Sequence, residues 1–537
     1  MDLIAELHRS NLDPSIVSTL LSKLDQSQHN AVQLKSQNEE LQRLSARVER
    51  DAAYIKAADT KIAALTLELA HHKRIRFANK SEAFSPEQRD LFQETWNIDL
   101  AAIEAEVKRV AEQIAPPVNK PRRPTGRQPL PAHLPRIEHR HELASCTCGQ
   151  CGNDLIKIGE DISEQLDVEP ARFFVHRHIR PQYACRTCQS VSAAPIPAAI
   201  VDGGLAAPGL RAWVVTQKFL DHLPLYRIEQ IGDRHGVPLP RSTSAEWVGQ
   251  AGVALQPLAE RLGEILRQRS ILHADETPVA QLDPGRGKTK RAYLWAYRSN
   301  DLDGNRDPPI IVFDYQPNRS GSHAKHFLRD WRGSLMVDDF GGYKALFDCG
   351  ITELGCFAHA RRKFFDLHAA NRSPMAAYVL ERIRELYAVE REGKELDTPA
   401  RHELRQTKAK PILDALHVWL LATRSTVADS SGLAKAIDYS LRRWPALVRY
   451  ANRGDLPIDN NPVENAIRPI AIGKKNWLFC GSERAGKRAA AIQTLLGTAK
   501  LNQLEPYAWL KDTLEKLPTW PNNRIDELLP LRSTLNT

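Results

Sequence analysis

The sequence predicts a multidomain α+β protein with helical segments at both ends. The chain has 537 residues, more than one hydrophobic core usually organises. A seven-residue apolar repeat near the N-terminus is typical of a long paired helix, whereas the middle of the chain holds β-rich runs followed by helical patterns. We therefore expect several domains, each with its own core.

The charge balance is modestly basic. Lys and Arg total 74 against 65 Asp and Glu, giving a net charge of +9 and a pI near 9.1. This excess suits a polyanionic partner, although many basic proteins bind no nucleic acid. The chain has neither an apolar stretch of transmembrane length nor an N-terminal signal-peptide core. We expect a cytoplasmic protein with no membrane partner, whose eight cysteines stay reduced.

The N-terminal segment, residues 1–76, carries the heptad repeat. Six large apolar residues stand seven apart: Leu34, Leu41, Val48, Ile55, Ile62 and Leu69. Two helices need such a repeat to keep one seam facing its partner, so the pattern predicts a self-associating coiled coil. The alternative is a single long helix that folds back on its own domain.

Residues 77–141 combine a short basic helix with a proline-rich linker. Prolines from Pro116 to Pro135 alternate with Lys and Arg, which predicts an extended chain. This Arg-, Pro- and Gly-rich composition resembles that of an arm that enters the minor groove of DNA. A solvated linker fits the composition equally well.

Residues 142–195 contain two Cys-x-x-Cys pairs, Cys148/Cys151 and Cys185/Cys188. Four thiolates on two tight turns match a tetrahedral structural zinc site, Zn²⁺ being the cofactor. The segment between the pairs predicts a β-hairpin, so the whole resembles a zinc ribbon. Cys146 is a spare thiol, and alternative ligands are His141, His176 and His178.

Residues 196–268 show a helical pattern. A helix, a turn at Gly236 and a second helix capped by Ser242 or Thr243 are expected. This order fits a helix-turn-helix that binds DNA, but many plain helix pairs share it.

Residues 269–371 and 451–495 predict a ribonuclease-H-like core. Three β-rich runs, a helix, a strand and a further helix–strand step follow one another, which is the order of that sheet. We expect Asp275 to close the first strand and Asp338 to close the fourth. Strands one and four are neighbours in such a sheet, so these acids would meet.

Two close carboxylates repel unless they share a proton or hold a divalent cation. The best third acid is Glu464, at the start of a helix after an Asn-Asn-Pro turn. Two Mg²⁺ (or Mn²⁺) ions per active site would serve phosphodiester chemistry. Taken singly, each acid is equally an ordinary loop or cap residue.

Four long motifs make the chain recognisable: LHADETPV, VDDFGGYKALF, GCFAHARRKFFD and DNNPVENAIRPIAIGKKNWLFCGSERAG. They closely resemble the insertion sequence 66 family of bacterial transposases, and the resemblance runs nearly end to end. It implies an Asp-Asp-Glu domain that cuts and joins DNA. It also implies that Asp338 takes the catalytic place, while Asp339 and Phe340 stand where Gly and Tyr are usual.

The spacing from Asp338 to Glu464, 464 − 338 = 126 positions, leaves room for an insertion at 372–450, and the apolar stripe Val379, Ile383 and Leu386 predicts that it is helical. Residues 496–537 form a helical tail. Basic side chains near the acids are candidates for phosphate contacts with DNA. They are Arg361, Arg362, Arg468, Lys474 and Lys475.

The expected function is DNA transposition for a bacterial insertion sequence. The protein would bind the terminal inverted repeats and the target DNA, cleave the 3′ end and transfer the strand. We expect a homo-oligomer formed through the coiled coil, associated with the nucleoid, and we consider small companion proteins of the same element as further partners. The rivals are a related nuclease or integrase and a catalytically inactive zinc-and-zipper DNA binder.

Overall fold

The computed structural model describes residues 132–532, except 144–152, 154, 170–171, 196, 202–203, 284–285, 287 and 303–306, together with residues 37, 42 and 130. Within this part the fold has two β-sheets and fourteen α-helices. The predicted coiled coil, the basic helix, most of the linker, Cys146, Cys148 and Cys151 lie outside the described residues. None of the described helices is long and apolar enough to cross a membrane.

The first sheet has strands β1 (Arg136–Arg140), β2 (Leu155–Glu169), β3 (Arg172–Cys185) and β4 (Val191–Ala193). β3 lies at the centre, parallel to β1 and antiparallel to β2, and β4 pairs with the end of β3. The hairpin predicted between the two cysteine pairs is therefore confirmed.

Three helices follow: α1 (Pro208–Phe219), α2 (Leu225–Arg234) and α3 (Arg241–Leu266). The predicted turn between α2 and α3 is present, and Gly236 adopts the positive φ of 69° that glycine tolerates best. The predicted caps Ser242 and Thr243 are wrong. Pro240 brings the chain in extended form to the helix start, so both hydroxyls fall inside the first turn.

The interpretation of α2 and α3 as a DNA-reading pair is not supported by the burial of α3. Thirteen residues of α3 are buried, and nine of these belong to the main hydrophobic core. Its exposed positions are Ser242, Glu246, Glu260 and Glu264. Three of the four are acidic, whereas a helix in the major groove needs an accessible face that tolerates phosphate. α3 is therefore a core helix.

The second sheet has strands β5 (Ile271–Asp283), β6 (Lys288–Ser299), β7 (Ile311–Gln316), β8 (Ser334–Val337) and β9 (Thr352–Gly355), with helices α4 (Gly321–Leu328) and α5 (Lys344–Phe347) between them. The strand order is β7-β6-β5-β8-β9. β5, β6 and β7 form an antiparallel meander, and β8 and β9 join in parallel. The predicted sequence of meander, crossover and further crossover is confirmed.

The prediction that Asp275 closes the first strand is wrong. β5 continues to Asp283 because its antiparallel pairing with β6 extends that far. The neighbouring parallel strand β8 is the strand that ends near Asp275, because it stops at Val337.

A run of helices follows β9: α6 (Phe357–Asn371), α7 (Pro374–Glu392), α8 (Thr398–Leu404), α9 (Lys410–Arg424), α10 (Gly432–Arg442) and α11 (Trp444–Val448). A single π-helical turn, residues 405–409, joins α8 to α9. Arg405 in this turn is fully buried, pairs with Glu390 and donates to the carbonyl of Tyr450 at 2.8 Å. The predicted helical character of residues 372–450 is confirmed.

The last helices are α12 (Asn461–Trp477), α13 (Glu483–Leu501) and α14 (Pro506–Lys516). Val463 and Ile467 of α12 join a core with the sheet. The hydroxyl of Thr494 on α13 accepts from the Phe313 N–H of β7 at 2.8 Å, so α13 is fastened to the edge strand. The apolar contacts therefore hold α12 against the sheet, and the hydrogen bond holds α13.

Candidate active site

The first two acids come from adjacent strands. β5 and β8 run in parallel with His273 opposite Met336, and two further steps in the same register bring Asp275 beside Asp338. Asp275 accepts from the Glu276 N–H at 2.8 Å, and Asp338 accepts from the Phe340 N–H at 2.8 Å. Both carboxylates are therefore oriented by the backbone.

The third acid is placed by a buried asparagine. Asn460 is completely buried and precedes α12, and Glu464 lies in the first turn of that helix. The Asn460 side chain donates to the carbonyl of Ala274 at 2.9 Å and contacts His273 Nδ1 at 3.1 Å. Because Ala274 directly precedes Asp275, one side chain ties the start of α12 to the strand that carries the first acid.

The charges of the other two acids act on Asp275. The pKa of Asp275 is raised to about 8, mainly by burial and further by the charges of Glu276, Asp338 and Glu464. Asp275 therefore favours its protonated form at neutral pH unless a positive charge is present.

Glu464 has a buried oxygen, Oε1, that has no hydrogen-bond partner among the described residues. Cys356 and His359 approach it, and the three groups offer ligand atoms within 4.8 Å of one another. Burial raises the pKa of the Cys356 thiol to about 12, so this group stays neutral. Its sulfur accepts from the Asn460 N–H at 3.2 Å, which makes it a further anchor for the start of α12.

These residues fit a hard divalent cation. Carboxylate oxygens are the ligands that Mg²⁺ prefers. The raised pKa of Asp275 is expected of an acid that lacks a neutralising cation, and the buried Glu464 Oε1 accepts no hydrogen bond, its described ion-pair contact being His359 Nδ1 at 3.7 Å. A cation held by Asp275, Asp338 and Glu464 would remove both costs.

Asp339 differs from Asp338 because it has a cationic partner. Arg443, whose side chain is 6% exposed, lies 3.0 Å from Asp339 Oδ1 and 2.8 Å from Glu353 Oε1. Asp339 therefore joins the end of β8 to the residue after α10. The structure supports Asp338 as the acid of the site and gives Asp339 a structural partner.

A second network holds the loop after β8. Glu276 is buried on β5, where it pairs with Arg319 and accepts from the Tyr343 hydroxyl at 2.8 Å. The guanidinium of Arg319 lies 3.8 Å from the centre of the Phe340 ring. Burial raises the pKa of Glu276 despite these partners. The sequence alone did not predict this network, and its only signal is the acid next to Asp275.

The residues predicted to contact DNA differ in their exposure to solvent. Arg361, Arg362, Arg468 and Lys475 are exposed. Lys474 is half-buried and donates to the carbonyl of Pro278 at 2.8 Å, so it fastens α12 to β5. Burial lowers the pKa of this amine.

The described half of the predicted zinc site lies at the end of β3. Cys185 is buried at the strand end, and Cys188 Sγ lies 3.1 Å from Ser190 Oγ in the following turn. His178 stands seven positions before Cys185 on the same strand, about 23 Å away at the rise of an extended chain. Proposing His141, His176 or His178 as alternative ligands beside Cys185 is therefore wrong.

Sequence models of known families match most of the chain. The model described as "Transposase IS66 family" matches residues 203–488, and "zinc-finger binding domain of transposase IS66" matches residues 145–189. "IS66 C-terminal element" matches residues 494–531, and "Transposase C of IS166 homeodomain" matches residues 64–138. The last match reaches only the final heptad position, Leu69. These matches define the chain as a transposase of an insertion sequence.

Two relatives are similar to the chain along most of its length. The uncharacterized protein y4qI of Sinorhizobium fredii (strain NBRC 101917 / NGR234) is 38% identical over 504 residues, which cover 90% of this chain and 92% of that protein. The uncharacterized protein y4jD of the same strain is 37% identical over 412 residues, covering 75% and 81%. The chain belongs to the IS66 transposase family.

Proposed function

We propose that this transposase acts through a ribonuclease-H-like Asp-Asp-Glu domain whose catalytic residues are Asp275, Asp338 and Glu464. The observation that carries the proposal is the parallel register of β5 and β8, which brings the two aspartates together. The anchoring of α12 through Asn460 supports the third position. The sheet order β7-β6-β5-β8-β9 supports the fold assignment.

The three acids would hold two Mg²⁺ or Mn²⁺ ions, which activate the attacking oxygen and neutralise the leaving oxygen in phosphodiester cleavage. Backbone N–H groups orient the carboxylates of Asp275 and Asp338. The start of α12 orients Glu464, and the exposed Arg468 one turn further on contributes to binding a DNA phosphate. The reaction is cleavage at the 3′ end of the element, followed by attack of the freed hydroxyl on target DNA.

The remaining parts support DNA handling. Arg361, Arg362 and Lys475 bind phosphates, and Lys474 contributes charge from its place on α12. A structural zinc at Cys148, Cys151, Cys185 and Cys188 shapes the N-terminal DNA-binding region. The heptads assemble the chain into a homo-oligomer that brings the two element ends together in the bacterial cytoplasm.

The test compares two neighbouring aspartates. With Mg²⁺ and a duplex carrying the terminal inverted repeat, we expect Asp338→Asn to lower cleavage at least about 100-fold, the scale of losing one preorganised charged group. Asp339→Asn makes the same chemical change one residue later and still accepts from Arg443, so cleavage should stay within about threefold of the parent chain. DNA binding, measured by fluorescence anisotropy, should be unchanged in both.

The outcomes separate the rival functions. Loss of cleavage in Asp339→Asn but not in Asp338→Asn would contradict the assignment. Nicked products without joined products would favour a related nuclease or integrase. DNA binding with no metal-dependent cleavage in the parent chain would favour an inactive DNA binder.

A further inference from the structure

Four histidines form a ladder on the first sheet: His139 and His141 of β1, and His176 and His178 of β3. The parallel register places His139 opposite His178 and thereby brings the four rings to one side of the strand pair. Ring centres follow one another at 4.9, 5.0 and 5.4 Å in the order 176, 139, 178, 141. All four are half-buried, so solvent reaches the ladder.

One pair in the ladder has an ordered protonation state. His176 Nε2 lies 2.7 Å from Asp167 Oδ2, and Asp167 is 1% exposed. A carboxylate only accepts, so His176 carries its proton on Nε2 and turns the lone pair of Nδ1 outward. That nitrogen lies 2.8 Å from His139 Nε2. His139 and His176 therefore share a hydrogen bond, and the buried carboxylate of Asp167 binds the other nitrogen of His176.

The carboxylate is itself held firmly. Asp167 Oδ1 accepts from the Val168 N–H at 2.8 Å. A side chain on Gly209, in the first turn of α1, would meet that oxygen at 2.2 Å, so the close approach of helix and carboxylate depends on glycine. A carboxylate that fixes the far nitrogen of an imidazole is the usual second partner of a metal-binding histidine.

The spacing of the pair also fits a metal. Two nitrogens bound at about 2.05 Å and at right angles to each other stand about 2.9 Å apart. The two nitrogens already stand 2.8 Å apart in their hydrogen bond, so an ion could replace the shared proton once both rings turn their lone pairs towards it. Right-angled arrangements are typical of square-planar or octahedral ions such as Ni²⁺ and Cu²⁺, which prefer imidazole. The ring of His139 can move its proton to Nδ1, so both rings bind as neutral ligands without releasing a proton.

We propose that His139 and His176, with Asp167 behind them, bind one divalent ion of the nickel and copper class, with solvent completing the coordination. The site is separate from the cysteine knuckles, because His178 on the same strand already stands about 23 Å from Cys185. A bound ion would fasten the edge strand β1 to β3.

The experiment titrates Ni²⁺ by calorimetry into untagged, zinc-loaded full-length protein in a large excess of Mg²⁺, which keeps the carboxylate site of Asp275, Asp338 and Glu464 occupied, and zinc content is measured before and after. We expect one Ni²⁺ per chain with full retention of zinc. His176→Gln should abolish this binding, and Asp167→Asn should weaken it about 10- to 100-fold, the usual effect of losing the carboxylate behind a ligand. His326→Gln, an exposed histidine of α4, is the matched control and should bind as the parent chain does.

His139→Gln guards against misfolding, because it changes an edge strand and leaves Asp167 paired with His176. Loss of Ni²⁺ in this variant with normal zinc and an unchanged melting temperature supports the site. Stoichiometric Ni²⁺ binding that survives in both His139→Gln and His176→Gln overturns it, and so does a parent chain that binds no Ni²⁺. In either case the ladder is a hydrogen-bonded stack only.

Discussion

Asn460 should matter to stability and to catalysis at once. Its side chain makes two contacts with β5, to the Ala274 carbonyl at 2.9 Å and to His273 Nδ1 at 3.1 Å, in a completely buried position. Each such bond contributes about 0.5–1.5 kcal/mol, and an abandoned buried carbonyl costs about 1–3 kcal/mol. Asn460→Ala should therefore lower the free energy of unfolding by about 2–4 kcal/mol.

The same change should displace Glu464, because the start of α12 loses its tie to β5. A misplacement of about 1 Å costs on the order of 100-fold in rate. Urea unfolding measures the first effect and metal-dependent cleavage of element-end DNA the second. Asn465→Ala, an exposed position on the next turn, is the control and should change stability by no more than about 0.5 kcal/mol.

Two results would refute this reasoning. If Asn460→Ala and Asn465→Ala have the same free energy of unfolding, the contacts of Asn460 with β5 do not stabilise the fold. If stability falls as expected but cleavage is unchanged, Asn460 supports the fold and the place of Glu464 does not depend on it.

Three further predictions concern metal and assembly. Cys185→Ser should remove the single zinc expected per chain in elemental analysis, and full zinc content in this variant would exclude Cys185 as a ligand. Val48→Asp with Ile55→Asp should lower the mass measured by light scattering, because charges enter the heptad seam; an unchanged mass would mean that this helix packs within its own chain. The folded pKa of Asp275, about 8, exceeds the value near 3.9 of an unfolded aspartate, so without a divalent cation the free energy of unfolding should fall as pH rises between them. Mg²⁺ should then raise the melting temperature more at pH 8.5 than at pH 6.5, and not in Asp275→Asn; an equal rise at both pH values would contradict this account.

The parts of the fold that sequence could predict are those with local signals. Alternating apolar runs and polar turns predicted the meander, and the apolar stripe Val379, Ile383 and Leu386 predicted the helical segment. Helix starts were less accessible, since Pro240 outweighed Ser242 and Thr243 at the beginning of α3. The length of β5 depended on its partner β6 and had no signal near Asp275 itself.

The candidate acids were predicted from the strand order, a helix start and the family resemblance, but the residues that support them were not predicted. Asn460 acts on Ala274, 186 positions away, and Arg443 acts on Asp339, 104 positions away. No local pattern encodes such pairs, because each depends on how distant elements pack. For the same reason, only the family resemblance, and no local pattern, favoured Asp338 over Asp339 before the partner of Asp339 was known.

The contact of Arg443 with Asp339 and Glu353 limits how modular this protein can be. Deleting the helices from α7 to α11 would remove the cation and leave two carboxylates unbalanced beside the loop that carries Asp338. Exchanging them for the helices of a relative would have the same effect unless the new segment brought a positive charge to that point. The helical segment and the strand-end loop must therefore match, so a hybrid transposase is expected to work only when the incoming segment places a positive charge beside Asp339 and Glu353.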